Sequence, residues 1–229
     1  MDNYDDFAEE YDEYGKDAVT DIEIGYKNAL LLAGDVRGMK VLDYGCGVGK
    51  FSRILKDLGA DVVGIDIAEK ELAIARRQHP DIPFLTVAEA RDRFKEEFDL
   101  VTMNFVITAI PSQEEIRRVF SDIRIFLKRG GKLVMLNSNY EKSGGKEFLT
   151  FKIGEVRKEI SAPLTVFLGR AYDFPITDFY YSADFYAKNL ADAGFTVEKV
   201  AEPLADTDDR PWKDELTSPP FILILAVSR

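Results

Sequence analysis

The hydrophobic positions along the chain follow two alternating patterns. Short apolar runs predict buried strands, and apolar residues three and four positions apart predict amphipathic helices. The predicted strands are Lys40–Tyr44, Asp61–Asp66, Ile82–Val87, Phe98–Met103 and Lys132–Asn137. Strands that alternate with helices pair in parallel through right-handed crossovers. The pattern therefore indicates an α/β fold with a doubly wound sheet.

Helices are predicted between these strands and before the first one. Their ranges are Phe51–Leu58, Glu69–Gln78 and Gln113–Leu127, with a helical N-terminal segment at 1–37. Ser112 and Glu115 have the spacing of a capping box, which marks the start of the third range.

The rhythm breaks after the fifth strand. Residues 138–181 are rich in aromatic residues, glycine and proline, and are predicted to form an insertion. A helix at Ser182–Ala193 and strands at Phe195–Ala201 and Phe221–Val227 follow. Four prolines between those two strands disfavour a crossover helix, so the last strand is expected to run antiparallel.

Composition narrows the possible functions. The 229 residues include 41 acidic and 30 basic ones, for a net charge of −11, which argues against a nucleic-acid partner because binding to phosphates needs basic contacts. No apolar run approaches the ~20 residues of a membrane span. One cysteine and one histidine argue against disulfides and a metal site. A cytoplasmic protein with one domain over 1–229 is expected; the oligomeric state is not predicted.

A glycine loop between the first strand and its helix is the strongest chemical signal. Gly45, Gly47 and Gly49 let the backbone turn tightly and let a ligand approach closely. The third glycine comes one residue earlier than in the dinucleotide fingerprint. Asp43 would repel a pyrophosphate and attract an ammonium group. The ligand is thus predicted to be an amino acid joined to a nucleoside, with an NAD-dependent dehydrogenase as the remote alternative.

Asp66 stands 17 residues after Gly49, at the end of the second predicted strand. A carboxylate at this place can accept hydrogen bonds from both hydroxyl groups of a ribose. The prediction therefore extends the ligand site from the first strand to the second.

Four segments together resemble the successive motifs of class I S-adenosylmethionine-dependent methyltransferases. They are Val41–Gly49, Val62–Ile67, Phe98–Ile110 and Leu127–Asn137. The resemblance implies a seven-stranded mixed sheet with the last strand antiparallel. It also implies S-adenosylmethionine as cofactor, S-adenosylhomocysteine as product, and no metal.

The resemblance also implies which residues bind the cofactor. The methionine portion is expected at Asp43, Gly45, Cys46, Gly47 and Gly49, the ribose at Asp66, and the adenine at Ile67. Family members often carry an acid after the third strand; here Ala88 takes that place and Glu89 follows it, so adenine is expected against backbone there or at Glu89. Asn104 and Phe105 end the fourth strand, where the family brings the methyl donor to its substrate.

The N-terminal segment resembles that of small-molecule methyltransferases, in the run Tyr4–Asp12. The resemblance implies a helical lid over 1–37, with Tyr11 at the methionine carboxylate and Tyr14 lining the substrate site. The alternative is that these tyrosines only pack a short helix against the body.

Residues 138–181 are expected to bind the substrate, because their many aromatic side chains suit an apolar pocket. Tyr180 and Tyr181 are candidates for polar handles or a weak acid/base pair, and Arg170 for a substrate carboxylate anchor or a partner of Asp173. A subsidiary core is the alternative. The predicted function is methyl transfer to N or O of a small molecule by proximity and orientation, with a peptide or protein substrate as the alternative.

Overall fold

The computed structural model describes residues 8–207 and 210–229, without the side chains of Ala8 and Tyr11. The helices are α1 (Ala8–Lys16), α2 (Lys27–Ala33), α3 (Lys50–Asp57), α4 (Glu69–Gln78), α5 (Val87–Arg93), α6 (Gln113–Phe126), α7 (Tyr140–Ser143) and α8 (Ala183–Asp192). The strands are β1 (Lys40–Tyr44), β2 (Asp61–Asp66), β3 (Phe84–Thr86), β4 (Phe98–Asn104), β5 (Leu127–Ser138), β6 (Phe151–Ile153), β7 (Pro163–Leu168), β8 (Phe174–Phe179), β9 (Phe195–Ala201) and β10 (Phe221–Ser228).

Seven strands form the central sheet in the order β3-β2-β1-β4-β5-β10-β9. The first five are parallel, and β10 runs antiparallel to both β5 and β9. Buried apolar residues cover both faces of the sheet. The prediction of a doubly wound mixed sheet with an antiparallel last strand is confirmed.

The third predicted strand is only half right. β3 begins at Phe84, and the chain turns into α5 at Val87, where the sequence pattern predicted strand. The Thr86 hydroxyl accepts a hydrogen bond from the Glu89 backbone N–H at 3.2 Å, and the Glu89 carboxylate accepts one from the Thr86 N–H at 2.8 Å. This capping box outweighs the apolar periodicity and starts a helix.

The predicted N-terminal helix is divided in the described residues. A π-helical turn at Asp21–Tyr26 lies between α1 and α2. Gly25 in this turn lies so close to Leu136 and Phe221 that a Cβ there would come within 3.1 Å and 3.3 Å of their side chains. Residues 1–7 of the predicted lid lie outside the described residues.

The insertion folds into a small antiparallel sheet in the order β6-β7-β8. Its inner face carries Phe151, Ile153, Leu164, Val166, Leu168, Phe174, Ile176 and Asp178, because side chains alternate along each strand. The opposite face of β7 and β8, at Thr165 and Thr177 for example, is exposed.

One buried carboxylate joins three distant segments. Glu215 accepts hydrogen bonds from the Thr20 hydroxyl at 2.9 Å, the Leu149 N–H at 2.5 Å and the Lys213 N–H at 2.8 Å. Two surface ion pairs, Lys27–Asp206 and Arg210–Glu23, connect the same N-terminal and C-terminal regions. The segment from Thr20 to Lys27 and the segment from Asp206 to Glu215 are therefore neighbours in the fold.

No helix within 8–207 and 210–229 combines the length and the apolar character that crossing a membrane requires.

Candidate active site

A cavity of about 570 Å³ lies at the carboxyl ends of β1, β2, β4 and β5. Ligands bind at this edge in open α/β sheets, and the volume is in the range of small-molecule sites. Its polar half is lined by Asp43, Gly45, Gly47, Lys50, Asp66 and Glu71. Its apolar half is lined by Phe105, Ile110, Phe151, Val166, Leu168, Ile176 and Phe221. The insertion and the N-terminal segment complete the walls.

The glycine loop has a backbone conformation that residues other than glycine adopt only at a cost in conformational energy. Gly45, Gly47 and Gly49 have φ of 73°, 52° and 84°, the left-handed region. A Cβ at Gly45 would overlap the Val106 side chain. The loop therefore brings bare backbone to the cavity wall.

Asp66 holds this loop to the end of β2. Its carboxylate accepts hydrogen bonds from the N–H groups of Gly47 at 2.8 Å, Ile67 at 2.7 Å and Ala68 at 3.0 Å. Ile67 is 71% exposed and lines the cavity beside it, which suits a flat ring better than a core position. Asp66 and Ile67, which were predicted to contact the ribose and the adenine, thus both line the cavity.

Asp43 is a buried acid at the cavity wall. The hydroxyls of Ser52 at 2.6 Å and Thr102 at 2.9 Å donate to its carboxylate. Burial raises the pKa of Asp43 to about 6, in spite of these two donors. A cationic group beside it would restore the charged form, which fits the predicted ammonium.

The N-terminal segment adds a second buried acid. Tyr14 donates to Asp21 at 2.8 Å, and burial raises the pKa of Asp21 to about 7. Lys50, the first residue of α3, interacts electrostatically with Asp21; its ammonium donates to the Asp12 carbonyl at 3.0 Å, and burial lowers its pKa. Tyr26 lines the cavity next to them.

Asn104 and Phe105 lie where β4 ends at the cavity. Both amide atoms of Asn104 are buried and, among the described residues, have no hydrogen-bonding partner. Phe105 has a φ of 60°, which is uncommon for a side chain of this size and is found at functional sites. This strained turn directs the chain into the apolar half of the cavity.

The apolar half contains a tyrosine–carboxylate pair. Tyr140, at the start of α7, donates a hydrogen bond to Asp178 on β8. Both side chains are buried, and both line the cavity. Burial first, and the charge of Asp178 second, raise the pKa of Tyr140 well above its ordinary value, so Tyr140 keeps its proton.

The structure brings most of the predicted cofactor residues together and separates a few. Asp43, Gly45, Cys46, Gly47, Asp66, Ile67, Asn104 and Phe105 line the cavity, and so does Tyr14. Gly49 is at the start of α3, behind the loop. Glu89 caps α5, and neither it nor Ala88 is among the described residues that line the cavity. The Tyr11 side chain lies outside the described residues.

The predicted catalytic residues of the insertion lie elsewhere. Tyr180 and Tyr181 are buried, and Tyr181 donates to the Ile110 carbonyl at 2.5 Å, joining the insertion to the turn after β4. Arg170 is exposed and pairs with Asp17, instead of the neighbouring Asp173. Within the described residues, none of the three lines the cavity.

Sequence reasoning missed Asp21, Lys50 and Asp178. Asp178 follows the alternation of β8 and sits on its apolar face, a signal that appears only once the strand is assigned. The one histidine, His79, is half-buried at the cavity wall, and its Nε2 is buried.

Known proteins similar to this chain point to one class. Residues 42–135 match the family model of a methyltransferase domain. A ubiquinone biosynthesis O-methyltransferase of Bordetella avium is 34% identical over 106 residues, 44% of this chain and 43% of that protein. A demethylmenaquinone methyltransferase of Renibacterium salmoninarum is 32% identical over 112 residues, 48% of this chain and 46% of that protein. The chain therefore spans less than half the length of these curated relatives.

A solved structure agrees with the fold. The S-adenosylmethionine-dependent methyltransferase from Mesorhizobium loti is similar with a TM-score of 0.62 and 24% identity, over 88% of this chain and 95% of that one. The sheet order agrees with a Rossmann-like methyltransferase fold, and the glycine loop lies within the matched domain. Residues 42–135 thus match a methyltransferase domain, and the chain has the fold of S-adenosylmethionine-dependent methyltransferases.

Proposed function

We propose that this chain transfers a methyl group from S-adenosylmethionine to N or O of a small, largely apolar molecule. The observation that carries the proposal is one continuous cavity with a polar half at the glycine loop and an apolar half under the small sheet. A cofactor and an acceptor bound in these two halves would meet near Asn104 and Phe105.

The residues of the polar half fit the cofactor. Asp66 and Ile67 would hold the ribose and adenine, and the bare backbone at Gly45 and Gly47 would lie against the methionine portion. Asp43 would bind the ammonium group, since a buried carboxyl with a pKa of about 6 gains most from a cationic partner. Tyr11 at the methionine carboxylate, and Ala88 or Glu89 at the adenine, remain proposals from the family resemblance.

The cofactor, when bound, supplies an electrophilic methyl group on a sulfonium. The protein's part is to orient the acceptor and exclude water, because reactions of this kind gain most from proximity and alignment. The N-terminal segment covers the cavity through Tyr14, Asp21 and Tyr26, and its tie to Glu215 keeps this wall in place.

The relatives favour a small acceptor over a peptide. Two of them are named for ubiquinone biosynthesis and for demethylmenaquinone. The apolar lining of the cavity is consistent with acceptors of that apolar character. Its described lining also carries more acidic than basic side chains, which suits neutral or cationic molecules better than polyanions.

Calorimetry with S-adenosylhomocysteine tests cofactor binding. The wild type is expected to bind, and Asp66→Asn to bind at least about tenfold more weakly, because hydrogen bonds to a charged group contribute about 1.5–3 kcal/mol. Asp61→Asn is the matched control: it changes an exposed acid at the other end of β2. Absence of binding by the wild type would rule out the proposed function.

A transfer assay tests the class of acceptor. Methyl-labelled cofactor is offered with a panel of phenols, amines and short peptides, and the label is expected in phenols or amines. Label found only in peptides would replace the small-molecule proposal with the peptide alternative.

A further inference from the structure

The inner face of the small sheet is apolar at every position but one. Seven of its eight inward side chains are hydrophobic, and the eighth is Asp178, opposite Leu164 in the register of β7 and β8. A carboxylate on an apolar, buried face is costly to desolvate unless it is hydrogen-bonded. A packing role alone would be served at lower cost by another hydrophobic residue.

Tyr140 gives Asp178 a hydrogen bond but blocks neither side chain from the cavity. The two residues come from α7 and β8, 38 positions apart, and both line the apolar half. The single phenolic proton of Tyr140 is used by Asp178, and the Ser138 hydroxyl, which also lines the cavity, is hydrogen-bonded to Tyr140. Towards a ligand, the pair therefore offers oxygen lone pairs and no spare proton.

A site that can only accept hydrogen bonds selects its ligand by chemistry. It favours a hydroxyl, a phenol or a protonated amine, and it disfavours a carboxylate or a phosphate by repulsion. The walls around it, including Val166, Leu168 and Ile176, favour an apolar skeleton. Tyr140 and Asp178 together are called the docking pair below.

We propose that the docking pair fixes the acceptor in the apolar half by accepting a hydrogen bond from its hydroxyl or amine group. The acceptor class is thus an apolar molecule with at least one hydrogen-bond donor and no anionic group at that point. This inference rests on the proposed function, which supplies the cofactor in the other half.

The experiment measures binding of two probes to protein saturated with S-adenosylhomocysteine. 1-Naphthol presents a donor on an apolar body, and 1-naphthoate presents an anion on the same body. Wild type is expected to prefer 1-naphthol by at least about tenfold, which corresponds to one hydrogen bond to a charged group. In Asp178→Asn the preference is expected to fall about tenfold, because the amide carries no charge and donates to an anion.

Tyr140→Phe is the second variant, and it keeps the proposal testable if Asp178→Asn fails to fold. It is expected to weaken 1-naphthol binding about threefold or more and to leave the affinity for S-adenosylhomocysteine unchanged. The matched control is Tyr172→Phe, which removes a half-buried hydroxyl that donates to the Phe148 carbonyl; neither residue is among the described residues that line the cavity. Its probe preference should equal that of the wild type.

Two results overturn the inference without touching the proposed function. One is a probe preference that stays the same in Asp178→Asn and Tyr140→Phe while S-adenosylhomocysteine still binds. The other is saturated wild type that binds no 1-naphthol. Failure of the wild type to bind S-adenosylhomocysteine would instead remove the proposed function itself.

Discussion

The polar half of the cavity is built mainly by residues close together in the chain, whereas its apolar half is assembled from distant segments. Asp43 and the glycine loop lie within seven consecutive residues, and Asp66 follows at the end of the next strand. The apolar half takes Phe105, Phe151 and Phe221 from three separate parts of the chain.

The two halves also depend on different interactions. In the polar half, backbone conformation and backbone N–H groups position the site, as at Gly47 and Asp66. In the apolar half, side-chain packing and buried hydrogen-bonded side chains such as Tyr140 and Asp178 do so. A short loop can therefore identify the cofactor class, while the acceptor site is free to differ between relatives that share the loop.

The largest effect is expected from Glu215→Gln, which should lower the free energy of unfolding by about 3–4 kcal/mol. The buried Glu215 carboxylate accepts three hydrogen bonds, and the amide N–H of glutamine would point at one of these three donors. Hydrogen bonds to a charged group contribute about 1.5–3 kcal/mol each. Urea denaturation measures the change. Glu198→Gln, at an exposed position of β9, is the control.

If the two halves of the cavity depend on different interactions, the folded fraction of Glu215→Gln should keep its affinity for S-adenosylhomocysteine within about threefold of the wild type. A loss of cofactor affinity equal to the loss of stability would show that the two halves are not separable.

Gly45→Ala should mainly affect cofactor binding. Its affinity for S-adenosylhomocysteine should be about 50-fold lower, a loss of roughly 2–3 kcal/mol in binding free energy. The left-handed backbone disfavours a Cβ by about 1–2 kcal/mol, and the Cβ would also displace Val106. Gly38→Ala is a close control: its φ is 72° against 73° at Gly45, but no atom lies within 4 Å of the new Cβ. Equal affinity losses in both variants would contradict the assignment of the loop.

Protonation of Asp21 should make stability depend on pH. Its pKa is raised from 3.8 to about 7, chiefly by burial, so folding favours the protonated form. The stability gained in this way is complete below pH ~4 and is lost as the pH rises through ~7. Between pH 5 and 8 the free energy of unfolding should fall by about 2 kcal/mol from this group, and Asp21→Asn should flatten the curve. An unchanged slope in the variant would assign the dependence to other groups.

The smallest effect is expected from Arg170→Gln. Its exposed pair with Asp17 joins the insertion to the N-terminal segment, but solvent screens such pairs and side-chain entropy offsets them. The midpoint of thermal unfolding and the probe affinities should stay close to those of Arg129→Gln, an exposed control on β5. A clear loss of 1-naphthol binding would restore Arg170 to the acceptor site.

Much of the polar half could be predicted because its signals are local. The spacing of Gly45, Gly47 and Gly49 and the acid before them are read directly from the chain, and both Asp43 and Asp66 line the cavity. The boundary at Val87 was wrong because the capping box of Thr86 outweighed an apolar run.

The apolar half could not be predicted in the same way, because its geometry depends on register. Tyr180 and Tyr181 are buried tyrosines of the same insertion as Tyr140, yet of these three only Tyr140 is among the described residues that line the cavity. Which tyrosine meets a carboxylate depends on the pairing of β7 with β8 and on where α7 begins. Neither the strand pairing nor the start of α7 can be predicted from a short stretch of sequence.

The hydrogen bond between Thr20 and Glu215 spans 195 residues, and this separation has a consequence for the order of events during synthesis. The ribosome delivers the chain from its N-terminus at about 5–20 residues per second, and contacts between distant residues form late. The strands that carry the glycine loop can pair as soon as β4 has emerged. The N-terminal segment gains its hydrogen bond to Glu215 and its packing against Phe221 only when those residues have emerged, so this wall of the cavity is completed late.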